Sequence, residues 1–304
     1  MNYLSEENYH FSYFHKGLSS LALSMWVQSA IKHVLTQGDS ILVAWLTTNH
    51  EQGVYAFAAN YGSLIARMLF QPVEESSRSL FAKLLSKKDK EETVVSENLT
   101  SAGAILKIIL RLYVLLSLFF VSLGSAFAPV ALSVVAGKQW ATSEAGKVLS
   151  AFCFYIPLLA INGITEAFVQ SVATKRELAT QSGWMFTFSI GFAGVGWTFL
   201  KALGWGAQGL VAANAVNMLV RISWSSAFIE RYFRRNGARM QWREVFPSLA
   251  LCSATVGVAA VARSVAASDG EVVKIIAIAG TLGIFLAGIW YELFPCDSYS
   301  LRRC

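Results

Sequence analysis

A chain of 304 residues that is 55% hydrophobic and only 14% charged, with a mean hydropathy of +0.48, falls well short of the roughly 25% charge of an ordinary soluble domain. That balance excludes a soluble enzyme or binding module and indicates an integral membrane protein. The net charge of +6 comes from basic residues beside apolar runs, with no base-stacking domain, so no nucleic-acid partner is expected.

Crossing a hydrocarbon core of ~30 Å takes ~20 helical residues, because the backbone must satisfy its own polar groups. Runs such as AILKIILRLYVLLSLFFVSL (104–123) lack the period-two alternation of a barrel strand. The expected fold class is therefore all-α, a polytopic membrane helix bundle of about eight transmembrane helices. Residues 1–19 are polar, lack signal-peptide order, and are expected to be a cytoplasmic segment. Candidate spans follow at 20–47, 52–85, 99–127, 146–173, 178–201, 206–230, 245–265 and 272–294.

The first span carries Lys32, His33 and Asp39 around a loosening Gly38. The second, containing YGSLIARMLFQPVEESSRSLFAKLL (61–85), holds Arg67, Glu74, Glu75, Arg78 and Lys83. In the third, Lys107 and Arg111 are expected to snorkel to the interface, and FAPVALSVVAGKQW (127–140) to form a short interfacial helix. LLAINGITEAF (158–168) in the fourth sets Asn162 and Glu166 at i and i+4 near Pro157. GFAGVGW in the fifth suits close helix packing. AANAVNMLVRIS in the sixth aligns Asn214, Asn217 and Arg221 on one face. LSKKDKEETVVSENLT (85–100) and ERYFRRNGARMQWREV (230–245) are the polar connectors.

Basic residues alternate in side. Lys87, Lys88, Lys90, Lys175, Arg176, Arg231, Arg234, Arg235, Arg239, Arg243, Arg302 and Arg303 follow even-numbered spans, whereas only Lys138, Lys147 and Lys201 follow odd-numbered ones. The positive-inside rule then places both termini in the cytoplasm. It also puts the sequon Asn98-Leu99-Thr100 there, so no glycan is expected. The four cysteines, Cys153, Cys252, Cys296 and Cys304, form no CxxC pair or disulfide framework. His10, His15, His33 and His50 are scattered near the first span. No phosphate-binding loop, zinc pair or nucleophile elbow occurs, so neither cofactor nor catalysis is expected.

Read as a helix, the second span lines up Asn60, Ser63, Arg67, Gln71, Glu74 and Arg78 along one face. Pro72 is expected to kink it beside the charges. A charge at mid-bilayer costs roughly 2.5–3.5 kcal/mol on insertion scales, so such groups face a cavity or each other. Glu74 and Arg78 either neutralise one another or serve a ligand. Arg67 has no acidic residue at i±3 or i±4, and its fork of donors suits a diphosphate. Glu75 is likewise left over. Glu74, Glu75 and Glu166 are alternatively proton or cation sites. For Asn162, Asn214 and Asn217, interhelical hydrogen bonding is the structural alternative.

LTQGDS (35–40), QGVYAFAANYGSLIARMLFQPVEESSRSLFAKLL (52–85), LLAINGITEAF (158–168) and RYFRR (231–235) resemble the Rft family of endoplasmic-reticulum proteins. The resemblance spans essentially the whole chain and weakens after about residue 245. It implies the fold of the multidrug, oligosaccharidyl-lipid and polysaccharide exporters, in which two six-helix lobes rock around a central cavity and two more helices follow. On that basis residues 20–235 are the second lobe and 236–304 the added pair with a cytoplasmic tail. The first lobe is expected to lie in a longer form of the protein or in a second chain. The implied role is moving dolichol-diphosphate heptasaccharide from the cytoplasmic to the lumenal leaflet of the endoplasmic-reticulum membrane for N-glycosylation, as flippase or accessory factor. Arg67 and Arg221 would match the diphosphate. A cation-coupled exporter of small molecules and a non-transporting scaffold are the alternatives.

Overall fold

The computed structural model describes residues 47–86, 92–137 and 144–266, together with 9, 10, 14, 15, 19, 23, 26, 45, 280, 281, 283, 286 and 287. Lys32 and Asp39 lie outside the described residues, as do most of the expected first and last spans. Apart from a two-residue antiparallel ladder pairing Tyr9 with His15 and His10 with Phe14, the described elements are helical.

Two helices begin the same way. Ahead of α1 (Asn49–Ile65), Thr48 Oγ1 accepts from the Glu51 amide at 3.3 Å, and Glu51 Oε2 accepts from the Thr48 amide at 2.9 Å. Thr174 and Glu177 repeat this capping box before α6 (Lys175–Trp197), at 3.3 and 3.0 Å. The reciprocal bonds satisfy two backbone donors that a helix start leaves open.

α1 runs through a π turn, Ala66–Phe70, into α2 (Gln71–Leu84) without a break. Pro72 was expected to kink this helix, since it offers no N–H and its ring presses on the carbonyl four residues back, that of Met68. The widened turn includes Met68, and the Gln71 amide bonds the Ala66 carbonyl instead. α3 (Glu92–Phe119) likewise passes through a π turn, Phe120–Gly124, into α4 (Ser125–Ala136). The segment expected as a separate interfacial helix thus continues the third span. α5 (Glu144–Val172) contains Pro157, α6 ends in a π turn at Thr198–Ala202, and α7 covers Gly206–Arg235. After a short turn at Trp242–Glu244 comes α8 (Leu249–Ala266).

Four of these helical stretches are long and apolar enough to cross a membrane: Ser96–Ala136, Glu144–Val172, Lys175–Ala202 and Trp242–Ala266. Eight spans were expected. The second and sixth are helices of suitable length, but their charges and amides keep them below that apolar standard.

α5 is the central helix, contacting α1, α2, α3, α4 and α7, while α6 packs on α7 and α8 on α4 and the turn before it. The two larger of three apolar cores among the described residues fill the bundle. One joins Phe70, Phe81, Leu106, Tyr113, Ile164, Phe168 and Phe233. Within it, the Phe168 ring lies 5.2 Å from Phe81 and 5.6 Å from Phe233. The other joins Val54, Ala58, Val148, Phe152, Tyr155, Val211 and Met218. Along α7 the polar residues Asn214, Asn217 and Arg221 fall between the residues that build the first core and most of those that build the second.

Candidate functional site

The expected single polar face of the second span separates into two. A π turn bonds i to i+5 and takes up one more residue than an α turn, so side chains after Phe70 lag behind a three-and-four spacing counted from Asn60. Asn60, Arg67, Gln71 and Glu75 are exposed, whereas Glu74 and Arg78 turn inward and are part-buried.

On the exposed flank, Arg67 Nη2 donates to Ser63 Oγ at 3.0 Å, and Gln71 Nε2 donates to Glu75 Oε1 at 3.3 Å. Arg67 has no carboxylate partner among the described residues. It sits inside the π turn, a widening that often marks functional positions in helices.

On the inward side, Arg78 Nη2 donates to Glu74 Oε1 at 2.8 Å, so the i,i+4 neutralisation does form. The Glu74 carboxylate lies hard against α5. A Cβ on Gly163 would stand 2.7 Å from its Oε2, so only glycine lets the acid approach there. One turn further along α5 a second pair forms. Arg221 Nη2 on α7 meets Glu166 Oε2 at 2.9 Å, with side chains 23% and 16% exposed. Asn162 Nδ2 donates to the same oxygen at 3.2 Å, and Gln170 Nε2 to the other at 3.2 Å. Asn214 Nδ2 reaches across to Tyr55 Oη on α1 at 3.0 Å.

Arg221, expected to serve an anionic ligand, is thus held by Glu166. Within these two pairs and their amide neighbour, Arg78 Nε, Arg221 Nε and Asn162 Oδ1 are buried without a hydrogen-bond partner among the described residues. Lys107 does not merely snorkel; its Nζ reaches Glu244 Oε2 at 2.5 Å, tying α3 to the turn before α8. No group of three or more His, Cys, Asp or Glu is placed to hold a metal among the described residues.

Tyr55, Gly163 and Gln170 were not foreseen. Gln170 stands at i+4 from Glu166, a spacing that could have revealed it. Tyr55 carries no such signal, because its partner is 159 residues away. Beside this polar set, α1, α4 with the π turn before it, and α5 line an open apolar cleft of about 390 Å³, bounded by Tyr61, Ile65, Phe120, Leu123, Cys153 and Ile156.

Long apolar helices, charge pairs between them and amides that bridge helices define a polytopic all-α membrane protein. The chain belongs to the Rft protein family, which residues 2–293 match. It is 41% identical over 228 residues to the Man(5)GlcNAc(2)-PP-dolichol translocation protein of Yarrowia lipolytica, covering 73% of this chain and 33% of that one. It is 36% identical over 248 residues to the Candida glabrata protein of the same name, covering 82% and 43%. The mouse protein of that name is 34% identical over 223 residues, covering 73% and 41%. The chain spans a third to under a half of the length of these relatives. No solved structure matches it.

Proposed function

We propose that this chain forms one lobe of a glycolipid translocator that moves dolichol-diphosphate heptasaccharide across the endoplasmic-reticulum membrane, from the cytoplasmic to the lumenal leaflet, for N-glycosylation. In this reading residues 20–235 are a six-helix exporter lobe, 236–304 add two helices, both termini are cytoplasmic, and a second lobe faces the Arg67 flank. The names of the relatives support the substrate. The observation that carries the site is Arg67, an exposed guanidinium on a membrane helix with only a serine hydroxyl beside it. An arginine left without a carboxylate in such a place is costly unless a ligand or an aqueous cavity meets it. Its planar fork matches a diphosphate, and the adjacent Gln71 and Glu75 can bond sugar hydroxyls.

The pairing of Glu74 with Arg78 and of Glu166 with Arg221 speaks against a cation-coupled exporter, because two of the three candidate acids already hold a cation of their own and Glu75 accepts from Gln71. The test is reconstitution in vesicles, together with the portion of a curated relative that this chain does not span, with transfer of diphosphodolichol heptasaccharide between leaflets as the readout. Arg67→Ala is expected to lower transfer at least tenfold, the loss of one charge-assisted contact of about 1.5–3 kcal/mol, and Arg67→Lys to restore part of it. Equal transfer by wild type and Arg67→Ala at the protein-free rate would reduce the role to a scaffold.

A further inference from the structure

The α6–α7 hairpin carries a second polar site, away from Arg67. Glu177, Thr180 and Trp184 on α6 and Trp224, Phe228, Arg231, Tyr232 and Arg235 on α7 enclose a pocket of about 310 Å³. The spacings of three, four and seven put each set on one helix face. Trp224 stacks on Phe228 at 5.9 Å and 21°, and Tyr232 is anchored edge-on to the core ring of Phe168 at 5.6 Å.

The hairpin shows its depth in the bilayer by its own tryptophans. Trp184 and Trp224 line the pocket together and mark one level, Trp205 just ahead of α7 marks the other, and Trp184 and Trp205 are about half exposed. From Trp205 to Trp224, at ~1.5 Å per residue, is roughly 28 Å, close to the hydrocarbon thickness that aromatic belts bracket. Arg231 and Arg235 lie about two and three turns beyond Trp224, at headgroup level, with Lys175 and Arg176 at the same end of the hairpin, beside the Glu177 that Arg235 contacts. Below the belt α6 exposes Phe186 and Ile190, a surface for acyl chains.

The charges within the pocket are not cancelled. Arg235 Nη1 meets Glu177 Oε1 at 3.1 Å, while Glu177 Oε2 is occupied by the Thr174 cap. Arg231 Nε donates to the Ala227 carbonyl, and its guanidinium has no carboxylate partner among the described residues. Two guanidinium groups above two indoles, opening onto an apolar helix face, match a phosphate joined to hydrocarbon. We infer that this pocket binds the phosphodiester headgroup of an anionic phospholipid, with Arg231 and Arg235 on the phosphate and Trp184 and Trp224 flanking the glycerol. A basic pocket between spans at a membrane surface is the recurring form of such a site.

The experiment is native mass spectrometry of the whole chain from nanodiscs containing phosphatidylcholine and phosphatidylinositol. Wild type is expected to retain phosphatidylinositol preferentially. Each arginine near an anionic surface contributes about a fivefold preference, so Arg231→Gln with Arg235→Gln should lower it by about twentyfold to thirtyfold, with helix content unchanged by circular dichroism. Glu177→Gln keeps a capping acceptor and removes the opposing charge, and should raise the preference, which a merely structural role would not do. An unchanged preference in the double variant, or a fall in Glu177→Gln, overturns the assignment. Inorganic phosphate displacing the lipid completely would show a free-phosphate site and overturn the lipid as occupant.

Discussion

The Glu166–Arg221 pair ties α5 to α7, and a double-mutant cycle isolates it. The atoms are 2.9 Å apart and both side chains are mostly covered. Two unit charges 4 Å apart attract by ~4 kcal/mol at an effective dielectric of about 20, and desolvation removes much of that gain. Truncating one partner is worse than losing the attraction, because the other charge is left buried and alone, a loss of ~3–5 kcal/mol. Here the loss is softened on one side, since Asn162 and Gln170 still donate to Glu166. We therefore expect about 2–3 kcal/mol for Arg221→Met and about 2 kcal/mol for Glu166→Gln, which leaves the arginine an amide oxygen. The double variant orphans no charge and should lose only about 2–3 kcal/mol. The resulting coupling is about 2 kcal/mol, clearly above the ~0.6 kcal/mol average measured for side-chain hydrogen bonds within a membrane. The assay is thermal unfolding of the detergent-solubilised chain followed by loss of monodispersity. At ~2–4 °C per kcal/mol for a chain of this size, Arg221→Met should fall by about 5–10 °C. Additivity of the two single changes within about 0.5 kcal/mol would refute the reasoning.

Two glycines should rank in a defined order. A Cβ at Gly62 would meet the Phe152 ring at 2.7 Å, and that ring is buried at 2% exposure. At Gly163 the obstacle is the carboxylate end of Glu74, which can swing. In the same thermal assay Gly62→Ala should lose about 1–3 kcal/mol and Gly163→Ala less, and the reverse order would show that the Glu74 position is rigid. The sequon at Asn98 should stay unmodified: it lies within α3, and the Thr100 hydroxyl is already donated to the Ser96 carbonyl at 3.0 Å. A mobility shift on glycosidase treatment would reverse the expected orientation of the whole chain.

The long apolar runs were enough to locate the helices of the second to seventh spans among the described residues, and the scarcity of charge made Arg67, Glu74, Glu166 and Arg221 stand out in the sequence itself. What could not be read was the direction each of them faces. The count of threes and fours from Asn60 to Arg78 assumes an unbroken α-helix, and the π turn at Ala66–Phe70 moves Glu74 and Arg78 off the face that Arg67 occupies. Nothing local announces that turn except Pro72, whose usual reading is a kink. Partner choice was equally hidden: Glu166 and Arg221 are 55 residues apart and Lys107 and Glu244 are 137 apart, distances over which a single sequence carries no pairing information. These pairings then sort the polar residues by role. A charge enclosed among helices has to be neutralised within the folded lobe, as Glu74 is by Arg78 and Glu166 by Arg221, and a residue so engaged must break a contact before it can hold a ligand. Arg67, Gln71 and Glu75 lie on a flank where the described residues offer them only neighbours on their own helix. A ligand or an opposing lobe meeting that flank would displace one hydrogen bond to Ser63 instead of separating an ion pair, and this lower barrier is the physical reason to seek the transported diphosphate there.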